Sequence, residues 1–356
     1  MQLQRPVTPP GVIFDSDMGV NIDTAFALAI LYGAPTKVKV VGLTVTNPKL
    51  EAAAFCDVVA RYYTTGGRLK ISPPLYHFPI GYAGGYAGEG GRGGDDQSGN
   101  MLTKALGLKA PDGSPVFGVN VEDLSDTGEV AIVIRNALSA QKDGAALMVS
   151  AGPATNLVRA LALPGNKDLI AAKVGTLVLA AGDLSGTSID PRIKADIAAA
   201  RRVFTEWPGN VVIAGREAGA ALAYPGASIA ADFAWAETHP ILEAYKAWKP
   251  APYDVPSQAM LAALYATDPK GELWKLSEPG RIEVLDDGRT RFTAASGGKH
   301  RYLLTDSNPE WKASVVKAIA TRASAKPTAP GGRGRGGAVG ATQQQQAQPL
   351  VKPAQP

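Results

Sequence analysis

The chain has one cysteine, Cys56, and three histidines in 356 residues. A single cysteine excludes an intramolecular disulfide and any CxxC metal or redox site. His239 and His300 have no metal-ligand spacing to each other. No run of 18 or more uncharged apolar residues offers a membrane span, and MQLQRPVTPPG lacks the apolar centre of a secretory signal. The glycines form neither GxGxxG nor GxxxxGK, so neither dinucleotide nor nucleoside triphosphate binding is indicated. Ser150 stands outside any GxSxG context and is rejected as a nucleophile. A cytoplasmic location is the default expectation, with export after signal removal as the alternative.

With 45% hydrophobic and 19% charged residues, the composition supports a large core. It shifts near Thr321. From there TRASAKPTAPGGRGRGGAVGATQQQQAQPLVKPAQP has almost no bulky apolar residues to repay the entropy of ordering. The expected organisation is an α/β domain over 10–320 followed by a disordered Gly/Pro/Gln-rich basic tail over 321–356. Of the 36 lysines and arginines, five lie in that tail and no acid does, which leaves the body near neutral with 31 basic against 32 acidic residues. The formal +4 is therefore the tail's five positive charges less the body's one excess acid. Two arginines in GGRGRGG, without aromatics to stack on bases, indicate a solubilising segment rather than a specific nucleic-acid site.

GVIFD, bounded by Pro-Pro-Gly, is expected to be a buried strand, and TAFALAILYG the helix after it. VKVVGLTVT and EAAAFCDVVARYY repeat that pair, and AALMVSAG, KVGTLVLAAG and NVVIAG are further strands near helical stretches. EVAIVI fits a strand or a helix. Near-continuous apolar strands alternating with helices predict a mostly parallel central sheet covered on both faces. GRIEVLDDGRTRFTA has Asp-Gly in a hairpin turn and predicts an outlying antiparallel element. The glycine-rich run over 81–100 is expected to be a rim or lid, or a surface loop without a task.

Parallel sheets place ligands beyond the carboxyl ends of their strands, where FDSDMGVNIDTA puts its carboxylates. Asp15 and Asp17, two apart, share a face of an extended strand, Gly19 lets the chain turn, and Asp23 falls in the first helical turn. In a purely structural alternative Asp23 caps the helix and the others sit exposed. Like charges gathered at one strand end repel unless a cation, a proton or basic side chains compensate them. With no histidine or cysteine nearby, the fitting cation is calcium or magnesium. A carboxylate beside such an ion orients and deprotonates water, which predicts a metal-assisted hydrolase.

On these residues the chain resembles the calcium-dependent nucleoside hydrolases of the inosine-uridine-preferring type. FDSDMGVNIDTAFALA is similar to the longer form of the family's opening DxDxGxDD. The likeness continues through VVGLTVTNPKLEAAAFCDVVARYY, MVSAGPATNLVRAL, SIDPRIKADIAAARRVF and PSQAMLAALYATDP, about residues 10–320. The resemblance implies an open nucleoside hydrolase-like sheet and cleavage of a ribonucleoside, as small-molecule substrate, to free base and ribose. It implies Asp17 as general base and metal contact, Asp15 as its support and a metal residue, and Asp23 and Asn47 on the ribose. The Ser150 carbonyl becomes a calcium ligand, and a homo-oligomer is possible.

The departures are as informative. Thr24 replaces the second paired aspartate, a calcium ligand in the family, and Gln258 and Ala259 stand where a late aspartate also binds calcium. Asp190 and Arg192 replace the glutamate and asparagine of the sugar site. Losing two carboxylates weakens an oxygen-ligand site, and a threonine hydroxyl substitutes poorly. Asp254 or the 81–100 run is a candidate for another oxygen, and Arg192 for the positive charge of a missing ion. His77, in SPPLYHFPIGY, is expected to be structural or solvent-facing, with contact to a purine ring or leaving group as the alternative. The alternative function is an inactive relative that binds a nucleoside-like ligand or a protein partner.

Overall fold

The computed structural model describes residues 8–70, 79–82 and 97–328. His77, most of the 81–100 run and the segment beyond 328 lie outside the described residues. Among the described residues nine strands form one sheet: β1 (Gly11–Ser16), β2 (Lys39–Val45), β3 (Ile80–Tyr82), β4 (Ala146–Ala151), β5 (Val174–Leu179), β6 (Asn210–Ile213), β7 (Gly280–Val284), β8 (Thr290–Ala294) and β9 (His300–Tyr302). Their order is β3-β2-β1-β4-β5-β6-β9-β7-β8. All pairings from β3 to β9 are parallel, and β7 runs antiparallel to β8 and β9. The architecture is the expected one, a largely parallel, open sheet between helices.

Why β1 reads as a continuous apolar run is visible in its packing. Alternation sends Val12 and Phe14 to one face and Ile13 to the other, and both faces are covered. On the Phe14 side the helix Ile22–Tyr32 is buried at every position but its last. It lies against the helix Gln258–Thr267, which is buried throughout. Helices apolar all round belong in the interior. Phe26 anchors this layer through edge-on contacts with Tyr224, Phe233 and Tyr245. On the Ile13 side, EVAIVI forms the helix Val130–Ser139. Its β-branched residues do not prevent this, because Glu129 accepts the Ile132 N–H at the start and Val130, Val133, Ile134 and Leu138 fall on the buried face.

The predicted hairpin is β7–β8, turning at Gly288 with φ +87°. It joins the main sheet through β9 and forms its far edge. The last helix, Pro309–Ala323, runs past the composition shift at Thr321, with Val315, Ile319 and Ala323 buried. The Trp235 indole N–H donates to the Ser324 carbonyl. The described body thus extends beyond 320, since a helix needs apolar residues on only one face and the alanine at 323 supplies the last of them.

Candidate functional site

The strand order reverses at β1: the chain moves outward through β2 and β3, then returns to pair β4 on the other side. That reversal opens the crevice in which α/β sheets bind ligands, and Asp15, Ser16 and Asp17 end β1 there. Gly152, at the end of β4, permits the close approach. A Cβ there would lie 2.8 Å from the Asp17 nitrogen and 2.9 Å from the Thr46 hydroxyl oxygen. Gly19 turns the chain after Asp17 at φ +93°, and a Cβ on it would meet Leu102 at 2.5 Å.

Asp15 is fully buried among neutral donors. Its register partners are Thr44 on β2 and Ser150 on β4, so all three side chains point the same way. Thr44 Oγ1 and Asn156 Nδ2 donate to Oδ1 at 2.7 and 2.8 Å, and Ser150 Oγ to Oδ2 at 2.8 Å. Burial raises its pKa, and those hydrogen bonds oppose the rise.

Asp17 differs. It is 5% exposed, its Oδ1 has no hydrogen-bond partner, and its Oδ2 lies 3.5 Å from Arg192 Nε. Burial pushes its pKa up to about 7; Arg192 pulls it down, while Asp23, Asp190 and Asp15 push it further up. Asp23 sits in the first turn of its helix but does not cap it, since no side chain caps that helix at Asn21. Its carboxylate turns to Arg192 Nη2, at 3.2 and 3.4 Å from the two oxygens, and its Oδ2 accepts the Ala259 N–H at 3.1 Å.

Arg192 is brought here by the short helix Pro191–Ala195, which Asp190 caps by accepting the Arg192 N–H at 2.8 Å. Nε donates to the Ala151 carbonyl and Nη1 to Gln258 Oε1, both at 2.9 Å. Gln258 Nε2 returns to Asp190 Oδ2 at 2.8 Å. Burial works against the guanidinium charge, but the carboxylates of Asp23, Asp17 and Asp190 outweigh it and raise the pKa.

The other predicted residues are engaged locally. Thr24 donates its hydroxyl to the Asn21 carbonyl at 2.7 Å. The Ser150 carbonyl accepts the Ala180 N–H at 2.8 Å, as strand pairing requires, and it is the next carbonyl, that of Ala151, that meets the cluster. Asn47 spans a turn, donating to the Met18 carbonyl at 2.7 Å and accepting the Lys49 N–H at 3.0 Å. Asp254 accepts the Gly226 N–H. The structure therefore brings Asp17, Asp23, Asp190 and Arg192 into one hydrogen-bonded and charged cluster, with Asp15 beside it and Asn47 on the adjoining turn. Sequence reasoning missed Ala151, Asn156 and the partnership of Gln258. The Thr-Asn of PATNLVRAL was a signal for Asn156, whereas backbone carbonyls leave none.

These residues do not fit calcium. Asp15 already takes three donors on its two oxygens, the Thr24 hydroxyl points its proton at the Asn21 carbonyl, and a permanent positive charge touches Asp17 and Asp23. Among the described residues no group of three or more His, Cys, Asp or Glu is arranged to hold a metal ion. His239 and His300 face elsewhere: His239 caps the helix Pro240–Trp248, and His300 Nδ1 accepts the Ile282 N–H.

An open, largely parallel α/β sheet with a buried acidic cluster at its reversal point is a nucleoside-hydrolase-like architecture. The chain belongs to the inosine-uridine preferring nucleoside hydrolase family, whose pattern it matches over residues 12–324. Its fold is similar to that of a plant nucleoside hydrolase, PpNRh1, at 18% identity and a TM-score of 0.60, over 89% of this chain and 99% of that one. A purine-preferring ribonucleoside hydrolase from Gardnerella vaginalis superposes with a TM-score of 0.63 at 17% identity, over 88% and 98%. The type III effector XopQ, solved with adenosine diphosphate ribose, gives 0.56 at 15% identity over 90% and 95%. No curated protein matches the chain in sequence. Among the described residues no helix is long and apolar enough to cross a membrane.

Proposed function

We propose that the chain uses the family's cleft to bind a ribose-bearing, nucleoside-like small molecule, without calcium-assisted attack of water on the N-glycosidic bond. The observation that carries this reading is the position of the Arg192 guanidinium, against both Asp17 and Asp23. In the family pattern those two carboxylates serve the ion and the ribose. Here Asp23 is engaged by Arg192 and the Ala259 N–H. Asp17 Oδ1 remains a buried acceptor without a partner, and a sugar hydroxyl donating to it is the contact the cleft offers.

One observation favours a second reading, N-ribosyl hydrolysis by Asp17 as general base. Its carboxyl, pushed up to about 7, is poised in the range where a base works best. Calorimetric titration with inosine, uridine, adenosine and guanosine in EDTA, alongside a ribose-release assay with calcium and with EDTA, separates the two. The binding reading expects affinity that persists in EDTA, falls about tenfold, or ~1.4 kcal/mol, in Asp17→Asn, and is accompanied by no ribose release. Calcium-dependent release that Asp17→Ala abolishes refutes it. Failure of every nucleoside to bind would instead turn the cleft into a surface for a protein partner.

A further inference from the structure

Five oxygens from four residues surround the Arg192 guanidinium: Asp17 Oδ2, the Ala151 carbonyl, Gln258 Oε1 and both oxygens of Asp23, at 2.9 to 3.5 Å. Carboxylate, amide and backbone carbonyl oxygens are the donor set that hard divalent cations take. Here the positive charge arrives on a side chain. The other oxygen of the Asp17 carboxylate, Oδ1, is also buried and has no hydrogen-bond partner, so Arg192 is the positive charge that compensates this carboxylate.

The geometry points to Arg192 as the resident cation of this cleft, its guanidinium filling an oxygen cage so that side chain and divalent metal exclude one another. The inference rests on reading the cleft as the family's sugar site and adds what holds its carboxylates together. The substitutions at 190, 192 and 258 then act as one device. Asp190 caps the turn that presents Arg192 and holds Gln258 Nε2, while Gln258 Oε1 holds Nη1. A carboxamide supplies that donor and acceptor at once, as an aspartate cannot. Thr24 and Ala259 are the complementary half. With a guanidinium in place, further carboxylates at those positions are not needed to coordinate an ion, and the Ala259 N–H itself is used by Asp23.

The test uses the full chain and calcium chloride alone as probe. Wild type, a Thr24→Asp/Ala259→Asp double variant, and the same double with Arg192→Asn are titrated by calorimetry and melted in calcium or EDTA. Wild type is expected to bind no calcium and to melt at the same temperature in both. The triple variant is expected to bind calcium at least ~10-fold more tightly than the double and to melt higher in calcium. Stoichiometric calcium in wild type, or a double variant that binds as tightly as the triple, overturns the inference. Should the triple variant be recovered only unfolded, refolding decides: recovery in calcium but not in EDTA supports the cage, and recovery in neither overturns it. Nucleoside titration of wild type in EDTA reports on the binding proposal alone, so either can fail without the other.

Discussion

Replacing Arg192 by methionine keeps an unbranched apolar stem out to about the position of Nε and removes the charge and the donors. Four partners lose them: the carboxylates of Asp17 and Asp23, the Ala151 carbonyl and Gln258 Oε1. All sit at or below 6% residue exposure, so water does not replace what is lost. Breaking a buried ion pair on one side costs about 3–5 kcal/mol, because the remaining charge is left uncompensated. The cost has a pH signature. Asp17 already has its pKa raised to about 7 from an ordinary 3.8, with Arg192 as the one attraction holding it down. Without that attraction the native state holds its proton to still higher pH, while the unfolded chain releases it near 4. A native state that binds more protons than the unfolded one gains stability as pH falls. Urea unfolding of Arg192→Met is therefore expected to show the full ~3–5 kcal/mol deficit at pH 8 and a clearly smaller one at pH 5. Adding Asp23→Asn, which removes one of the stranded charges, is expected to recover about 1 kcal/mol or more at pH 8. A deficit under about 1 kcal/mol at pH 8, or one that is the same at both pH values, refutes the claim that this guanidinium compensates the cluster.

Two other expectations concern stability. Asp15→Ala strands three buried donors, Thr44, Ser150 and Asn156. At about 1–3 kcal/mol each it should cost roughly 3–9 kcal/mol in urea unfolding. Asp15→Asn, which keeps one acceptor, should cost less than half of that, and equal losses would mean that the donors find other partners. His239 is ringed by Tyr62, Tyr63, Phe233 and Trp235, and burial among them pushes its pKa down to about 3. Below pH 6.5 the unfolded imidazole takes a proton that the native one refuses, so this residue removes stability as pH falls from 6.5 towards 3. In His239→Asn, chosen to leave an acceptor for the Ile241 N–H, melting temperature against pH should lose that part of its acid decline; an unchanged decline places the sensitivity elsewhere.

Much of the architecture was legible in local pattern. β1, β2, β4, β5 and β6 each coincide with an apolar run bounded by turn residues, because strands covered on both faces need apolar side chains at nearly every position. The β7–β8 hairpin announced itself through Asp-Gly, since glycine tolerates the φ of +87° found at 288. EVAIVI fits both a strand and a helix, since a short apolar run suits either period, and the composition shift near Thr321 falls inside the last helix, because a half-buried helix end such as 319–323 carries little apolar content.

By itself, the sequence determined that three carboxylates would meet at the end of the first strand, since their spacing around Gly19 is local. The resemblance adds the expectation that Thr24, Ala259, Asp190 and Arg192 depart from the nucleoside hydrolase pattern. Only the tertiary structure decided what those departures amount to. Residues 23, 151, 192 and 258 belong to a helix start, a strand end, a short capped helix and a late buried helix, and nothing in their linear order fixes a guanidinium between them. The register of β1 on β4 and the cap at Asp190 do so, by bringing a buried positive charge within 3.5 Å of carboxylates that would otherwise have no counter-ion.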